Sequence, residues 1–253
     1  MKYNIPSFYS SFYGNRFARL FVRVPPVGHN RRIQMQFKVL NPKDLYHKIK
    51  ENSGYHKCFI SIYSYGNSIE ALNNNYKSHP LVDRVFFDFD LESKDIKNNL
   101  DELNKLRKNG LHYQPDRQEE LLKDIYNRVV NEKASIEPIN QAKKFAEFLN
   151  NEYGAYPLLF FSGFKGCHAF FEQATLNNTN NTIQYFAENM KERMKLDTMD
   201  LSVNKDPNVR KSRVPYSKNE MTGLTVVPFD IDDSYDEIID KALNPIVEPF
   251  KVS

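Results

Sequence analysis

The sequence predicts an α+β fold, and three observations carry that reading. Two segments near the N-terminus, residues 18–24 and 33–39, alternate apolar with polar side chains, the period of a half-buried strand. Residues 93–151 instead space their leucines and aromatics as successive helices do. Beyond that block, residues 157–171 read as strand, glycine turn and returning strand. Strands gathered on either side of a helical block suit layers of sheet and helix around a shared core.

Taken in order, residues 8–17 are aromatic and polar and predict a helix with its loop. Leu20, Val22 and Val24 form the apolar side of the first strand, which Pro25-Pro26-Val27-Gly28 breaks. Ile33, Met35, Phe37 and Val39 form the second, so the intervening loop with His29, Arg31 and Arg32 is hairpin-like. Asn41-Pro42 caps a helix carrying Leu45, Tyr46 and Ile49 on one side, and Gly54 ends it. Residues 58–65 predict a third strand, 66–79 a polar stretch with a helical turn, and Val85-Phe86-Phe87 a short buried strand.

The helical block carries three apolar stripes: Leu100, Leu103 and Leu106; then Leu121, Ile125 and Val129; then Ala142, Phe145, Ala146 and Leu149. The last stripe should pack on the sheet, and residues 93–151 as a whole form an insertion or helical subdomain within a single catalytic domain spanning 1–253. Residues 182–194 predict an amphipathic helix, 195–215 a largely irregular stretch, 224–229 a last strand and 236–243 a last helix.

The 253 residues are 40% hydrophobic and 13% aromatic, values of a folded chain rather than a disordered one. A net charge of +3 does not by itself announce a nucleic-acid binder, so any such contact rests on local patches. No apolar run reaches the length of a membrane span, and the N-terminus lacks a hydrophobic signal core. Cys58 and Cys167, far apart in sequence, make neither a four-cysteine zinc site nor a disulfide scaffold. The expectation is a cytoplasmic protein with no zinc and no membrane partner.

Three segments carry chemistry. In Arg84-Val-Phe-Phe-Asp-Phe-Asp-Leu-Glu92, Asp88 and Asp90 leave a strand on one face. Two adjacent carboxylates repel, and a divalent metal on oxygen ligands relieves that; a strand ending in solvated acids is the other reading. In Ser162-Gly163-Phe164-Lys165-Gly166-Cys167-His168, the glycines allow a tight, amide-rich turn with Lys165 at its tip and Ser162 and His168 at the strand ends. Those groups suit a triphosphate, and they equally suit an ordinary hairpin. The third segment runs from Asp200 through Asp206 to Arg210 and Arg213: acids leading into a basic cluster, fit for phosphate oxygens or simply a mixed-charge loop.

The order of the three segments resembles the archaeo-eukaryotic primase superfamily, the group of small catalytic primase subunits and primase-polymerases. The resemblance spans about residues 82–223. It implies an α/β unit joined to an antiparallel sheet like that of RNA-recognition motifs, with the site between them. It implies that Asp88, Asp90 and Asp206 hold two Mg2+ or Mn2+ ions, with Asp200 an accompanying acid. It implies that Ser162, Gly163, Lys165, Gly166, His168, Arg210 and Arg213 bind the incoming NTP or dNTP. A DNA primase or primase-polymerase would act on a single-stranded DNA template, with a helicase or accessory primase subunit as an expected further partner. Arg19, Arg23, Arg31 and Arg32, with aromatics for stacking, are the expected template contacts. The chain departs from the family in lacking ligands for a zinc knuckle and in having Tyr216-Ser217 after Pro215, where Gly-Ser is frequent. A metal-dependent nuclease and a non-catalytic single-stranded nucleic-acid-binding replication protein are the rival readings of the same acids.

Overall fold

The computed structural model describes residues 17–22, 33–38, 45, 47, 49–51, 53–54, 57–63, 84–108, 115–172, 180–204 and 211–245. Two four-stranded antiparallel sheets organise them. The first has the order β2-β1-β3-β7, from β1 (Phe17–Val22), β2 (Ile33–Lys38), β3 (Lys57–Ser61) and β7 (Lys211–Arg213). The second has the order β4-β6-β5-β8, from β4 (Arg84–Asp90), β5 (Leu158–Phe161), β6 (Gly166–Glu172) and β8 (Val227–Phe229). The expected antiparallel pairing of the first two strands is present, with Val22 opposite Ile33 and Phe17 opposite Lys38, while residues 23–32 lie outside the described ones. Phe17 thus opens a strand rather than closing a helix, because its backbone has a partner in β2; residues 8–16 lie outside the described ones.

The second sheet is covered on both faces, and the two-residue period of its strands sorts the side chains. Val85, Phe87 and Phe89 of β4, Cys167 and Ala169 of β6, and Leu159 and Phe161 of β5 share one hydrophobic core with the helices. The helices are α1 (Lys94–Lys108), α2 (Pro115–Val130), α3 (Ile136–Tyr153), α4 (Asn180–Met194) and α5 (Tyr235–Leu243). All three stripes of the helical block reach that core: Leu103, then Leu121, Ile125 and Val129, then Ala142, Phe145, Ala146 and Leu149. The Phe145 ring meets Phe87 edge-on at 4.9 Å, as expected of the helix that precedes the returning strands. Gly154, at φ 62°, takes the left-handed turn that ends α3. Ser234 and Glu237 form a reciprocal capping box at the start of α5, and the Tyr235 hydroxyl donates to the Val129 carbonyl at 2.6 Å.

The opposite face of the second sheet presents Phe86, Phe160 and Phe170 to a second core, which includes Cys58 and Ile60 of β3, Val214 and Val226. Leu45 and Ile49 complete it; residues 45, 47 and 49–51 are helical, and Gly54 beyond them takes φ 86°. β3 stops at Ser61, short of the expected residue 65, and residues 66–79 lie outside the described ones.

Residues 195–204 and 211–215 are more ordered than expected, and residues 205–210 lie outside the described ones. Thr198 to Asp200 run along the free edge of β4, with Asp90 N donating to Thr198 O and Asp200 N to Asp88 O, each at 2.8 Å. A 3-10 turn, Leu201–Asn204, follows, and Lys211–Arg213 pair with β3. These pieces are too short and polar to show a period; pairing with another strand, not local pattern, makes them strands. Among the described residues, no helix is long and apolar enough to cross a membrane.

Candidate functional site

β4 changes character along its length on one face only. Phe86 is dry against Phe170, whose ring lies 4.9 Å away; two and four residues on, Asp88 and Asp90 point the same way. The register sets Asp88 across from His168 and Asp90 across from Gly166. The glycine is a steric necessity: a Cβ there would lie 2.1 Å from Phe89 O and 2.6 Å from Asp90 Oδ1. Side chains of Asp88 and Asp90 remain 22% and 35% exposed, so the pair opens to solvent at the mouth of the space between the sheets.

Burial raises the Asp88 carboxyl well above its ordinary range, and the charges of Asp90 and Asp200 push it further. Burial raises Asp90 as well, against the opposing pull of Lys165. The Lys165 ammonium lies 2.8 Å from Asp90 Oδ2 and donates to Leu91 O at 3.1 Å. It reaches there because the glycine turn folds back on β4, where Leu91 N donates to Lys165 O at 3.1 Å. Gly163 takes φ 73° and packs so tightly that a Cβ would sit 2.8 Å from Leu224 O. The Ser135 hydroxyl at the start of α3 fixes the turn through Phe164 O at 2.6 Å, and Thr222 Oγ1 fixes it through Gly163 O. Ser162, nearly buried, lies where its N–H donates to Gly166 O across the turn, at 3.0 Å.

His168 Nε2 lies 3.6 Å from Asp88 Oδ1. Burial, helped by the nearby Arg213 charge, lowers its pKa to about 3, so the ring is neutral and the contact is no ion pair. Its Nδ1 is buried with no hydrogen-bond partner. Phe86 packs on the ring at 5.3 Å.

Asp200 stands beside the pair. Its carboxylate accepts from Ser202 N and Ser202 Oγ, both at 2.8 Å, while its charge acts on Asp88 and Asp90. Thr198, two residues earlier, donates to Gln141 Oε1 from both N and Oγ1, tying this edge to α3. Asp206 and Arg210 lie outside the described residues, as do Arg23, Arg31 and Arg32. Arg19 is in β1, and the register puts it opposite Phe59 of β3, which is itself opposite Arg213 of β7.

Arg213 comes from the other sheet, yet its charge is felt by both Asp90 and His168. Its guanidinium lies 5.4 Å from the Phe59 ring and holds Glu220 with two contacts, at 2.8 and 3.3 Å. Lys57 approaches the same carboxylate at 3.4 Å, and Lys211 lies 5.2 Å from the Phe59 ring. Neither Glu220 nor Phe59 carries a local signal: one sits in a polar turn and the other in a strand with no chemical motif.

Among the described residues, no three His, Cys, Asp or Glu side chains are grouped to hold a metal ion by themselves. The donor chemistry of Asp88 and Asp90 nevertheless fits a hard divalent ion: two oxygen ligands on one face, their charged forms opposed by burial and mutual repulsion. Mg2+ characteristically takes one or two protein carboxylates and completes its shell with water and substrate phosphates.

No family model matches the sequence, and no curated protein matches it. In structure the chain is similar to the polymerase domain of Mycobacterium tuberculosis Ligase D, determined in complex with DNA, at 12% identity and a TM-score of 0.49, over 95% of this chain and 88% of that one.

Proposed function

We propose that the chain is a template-directed nucleotidyltransferase, a DNA primase or primase-polymerase, that joins NTPs or dNTPs on a single-stranded DNA template. The observation that carries the reading is the pair Asp88 and Asp90 at the solvent-open end of one face of β4, with Lys165 and His168 against it and the Arg213 charge felt there. Paired acids beside converging cations and a neutral donor are what a metal-bound triphosphate requires.

Asp88 and Asp90 would hold Mg2+ or Mn2+, with Asp206 as third acid. When bound, the ions would neutralise triphosphate charge and favour deprotonation of the attacking hydroxyl. Lys165, at the tip of the glycine turn, supplies positive charge where the phosphates lie. Ser162 adds a hydroxyl on the same turn, and Gly163 and Gly166 let the turn's backbone come close. His168 serves as a neutral hydrogen-bond donor: an imidazole with a pKa near 3 is a poor proton acceptor at neutral pH. Arg213, from the first sheet, would add a second positive charge for the phosphates, one already felt at Asp90. Catalysis rests on positioning and charge, as in phosphoryl transfer generally.

The test is de novo synthesis on unprimed single-stranded DNA with labelled NTPs or dNTPs and Mg2+ or Mn2+, beside the Asp88→Ala, Asp90→Ala double variant. Product that disappears in the variant is expected, and the preferred label names the sugar. Extension of a primed template alone would narrow the activity to a polymerase. No synthesis on either template sinks the proposal and transfers weight to a nuclease or a non-catalytic binding protein, which DNA cleavage and metal-independent binding assays tell apart.

A further inference from the structure

Glu220 is a buried carboxylate that the proposed reaction does not itself use. Its side chain is 9% exposed and that of Arg213 12%, so both charges are largely withdrawn from water. An ion pair so placed contributes little net stability, because desolvation offsets the attraction. Its geometry is specific nonetheless, with two nitrogens of one guanidinium on two oxygens of one carboxylate.

The backbone around Glu220 is held as firmly as its side chain. Asn219 N donates to Leu224 O at 2.8 Å and Gly223 N to Asn219 O at 2.9 Å, closing a tight turn. That turn is clasped to the one carrying Lys165. Thr222 Oγ1 donates to Gly163 O, and a Cβ on Gly163 would meet the Asn219 Cβ at 3.2 Å. Lys218 N also donates to Ser53 Oγ at 2.6 Å. Glu220 therefore rides on a segment locked to the glycine turn, while its carboxylate grips an arginine of the other sheet. It is the side chain that ties the Arg213 cation to the half of the site holding Lys165 and Asp90.

We infer that Glu220 is a positioning residue, fixing the Arg213 guanidinium so that its unused N–H groups meet the triphosphate of the incoming nucleotide. The inference rests on the nucleotidyltransferase reading. Two of the five guanidinium N–H groups are spent on Glu220, and three remain for phosphate oxygens. Without the carboxylate, the same charge stays nearby but swings between Phe59 and solvent.

The experiment titrates fluorescent N-methylanthraniloyl derivatives of ATP, dATP and AMP into the full chain with Mn2+. It compares wild type, Glu220→Ala, Glu220→Gln, Arg213→Ala and the Glu220→Ala, Arg213→Ala double variant. Mn2+ binding is followed separately by electron paramagnetic resonance. Expected in Glu220→Ala is about a tenfold loss of triphosphate affinity, the scale of one displaced charge-assisted contact. Monophosphate and Mn2+ binding should be unchanged, and the double variant no weaker than Arg213→Ala. Glu220→Gln, which keeps one hydrogen-bond acceptor, should fall between; should Glu220→Ala fail to fold, the same comparison runs on Glu220→Gln. Unchanged or tighter triphosphate binding in the Glu220 variants, with a loss in Arg213→Ala, overturns the positioning role and leaves the nucleotidyltransferase reading standing. A wild-type chain that binds neither triphosphate overturns both.

Discussion

Phe87 and Asp88 are neighbours in the chain that live in different solvents. Phe87 is fully buried against Phe145 in the core shared with the helices. Asp88 faces the space between the sheets, with His168 and Lys165 close to the acid pair. The alternation of a strand makes the separation: the helices close one face, while the other, dry at Phe86, opens to solvent only at Asp88 and Asp90. Rigidity and reactivity are thus placed one residue apart: the helix-side face holds β4 still, and that stillness keeps two mutually repelling carboxylates side by side.

The largest effect that sharpens this contrast is functional. Replacing Asp88 and Asp90 together with alanine should lower template-dependent synthesis by about a thousandfold or more. Stability should not fall with it. Both carboxyls are raised above their ordinary range, so in the metal-free fold their ionisation is unfavourable. The sign follows: the penalty is absent below the ordinary carboxylate pKa, grows as pH rises, and is complete above the folded-state values. Without divalent ions, an Asp88→Asn, Asp90→Asn variant should therefore match wild type at acid pH and melt higher at neutral pH, by about 2–4 °C per kcal/mol of strain relieved. A variant that melts lower at neutral pH would mean that the acids are structural.

Phe87→Ala probes the other face. It opens a cavity in the core and should cost about 3–5 kcal/mol, read as a lowered denaturation midpoint with an unchanged slope. If the variant still folds, Mn2+ should bind at unchanged affinity, because the acids belong to the opposite face.

Strand, turn and acid motifs were legible in the sequence where the signal is local. The hydrophobic alternation of β1 and β2, the stripes of α1 to α3 and the Ser162–Gly166 turn all declare themselves within a few residues. The placing of Asp88 opposite His168 was not, because register depends on two strands about eighty residues apart. β7 was missed for a related reason: Lys211-Ser212-Arg213 has no apolar period and becomes a strand only by pairing with β3. Glu220 was invisible because its partner lies in a different element, and a carboxylate in a polar turn ordinarily faces water. Asp200 was expected as an accompanying acid, while the backbone pairing that sets it against Asp88 came only with the fold.

A smaller effect tests how Lys165 serves the open face. Its ammonium balances Asp90 in the metal-free chain, in a pair whose partners are 27% and 35% exposed. A pair this exposed is worth about 1 kcal/mol or less, so Lys165→Met should change the melting temperature by no more than about 4 °C. The same substitution removes a competitor for Asp90, so Mn2+ should bind up to about fivefold tighter while the triphosphate binds more weakly. Weaker Mn2+ binding would show that Lys165 organises the acids rather than standing in for a cation.

The smallest perturbation reads the two faces without a substitution. Cys167 belongs to the helix-side core and Cys58 to the core between the sheets. Burial pushes the Cys58 thiol up to about 12 and raises that of Cys167 as well. At pH 8 both stay protonated as well as covered, so iodoacetamide should label neither in the native chain, since the thiolate is the nucleophile. Labelling then requires opening, and each cysteine reports the opening of its own core. In rising urea, with modification followed peptide by peptide, Cys58 should react first, because the core around Cys167 is the larger among the described residues. Simultaneous labelling would mean that the second sheet melts as one unit with both its faces. Cys167 reacting first would reverse the comparison, making the face that bears the acids the firmer of the two.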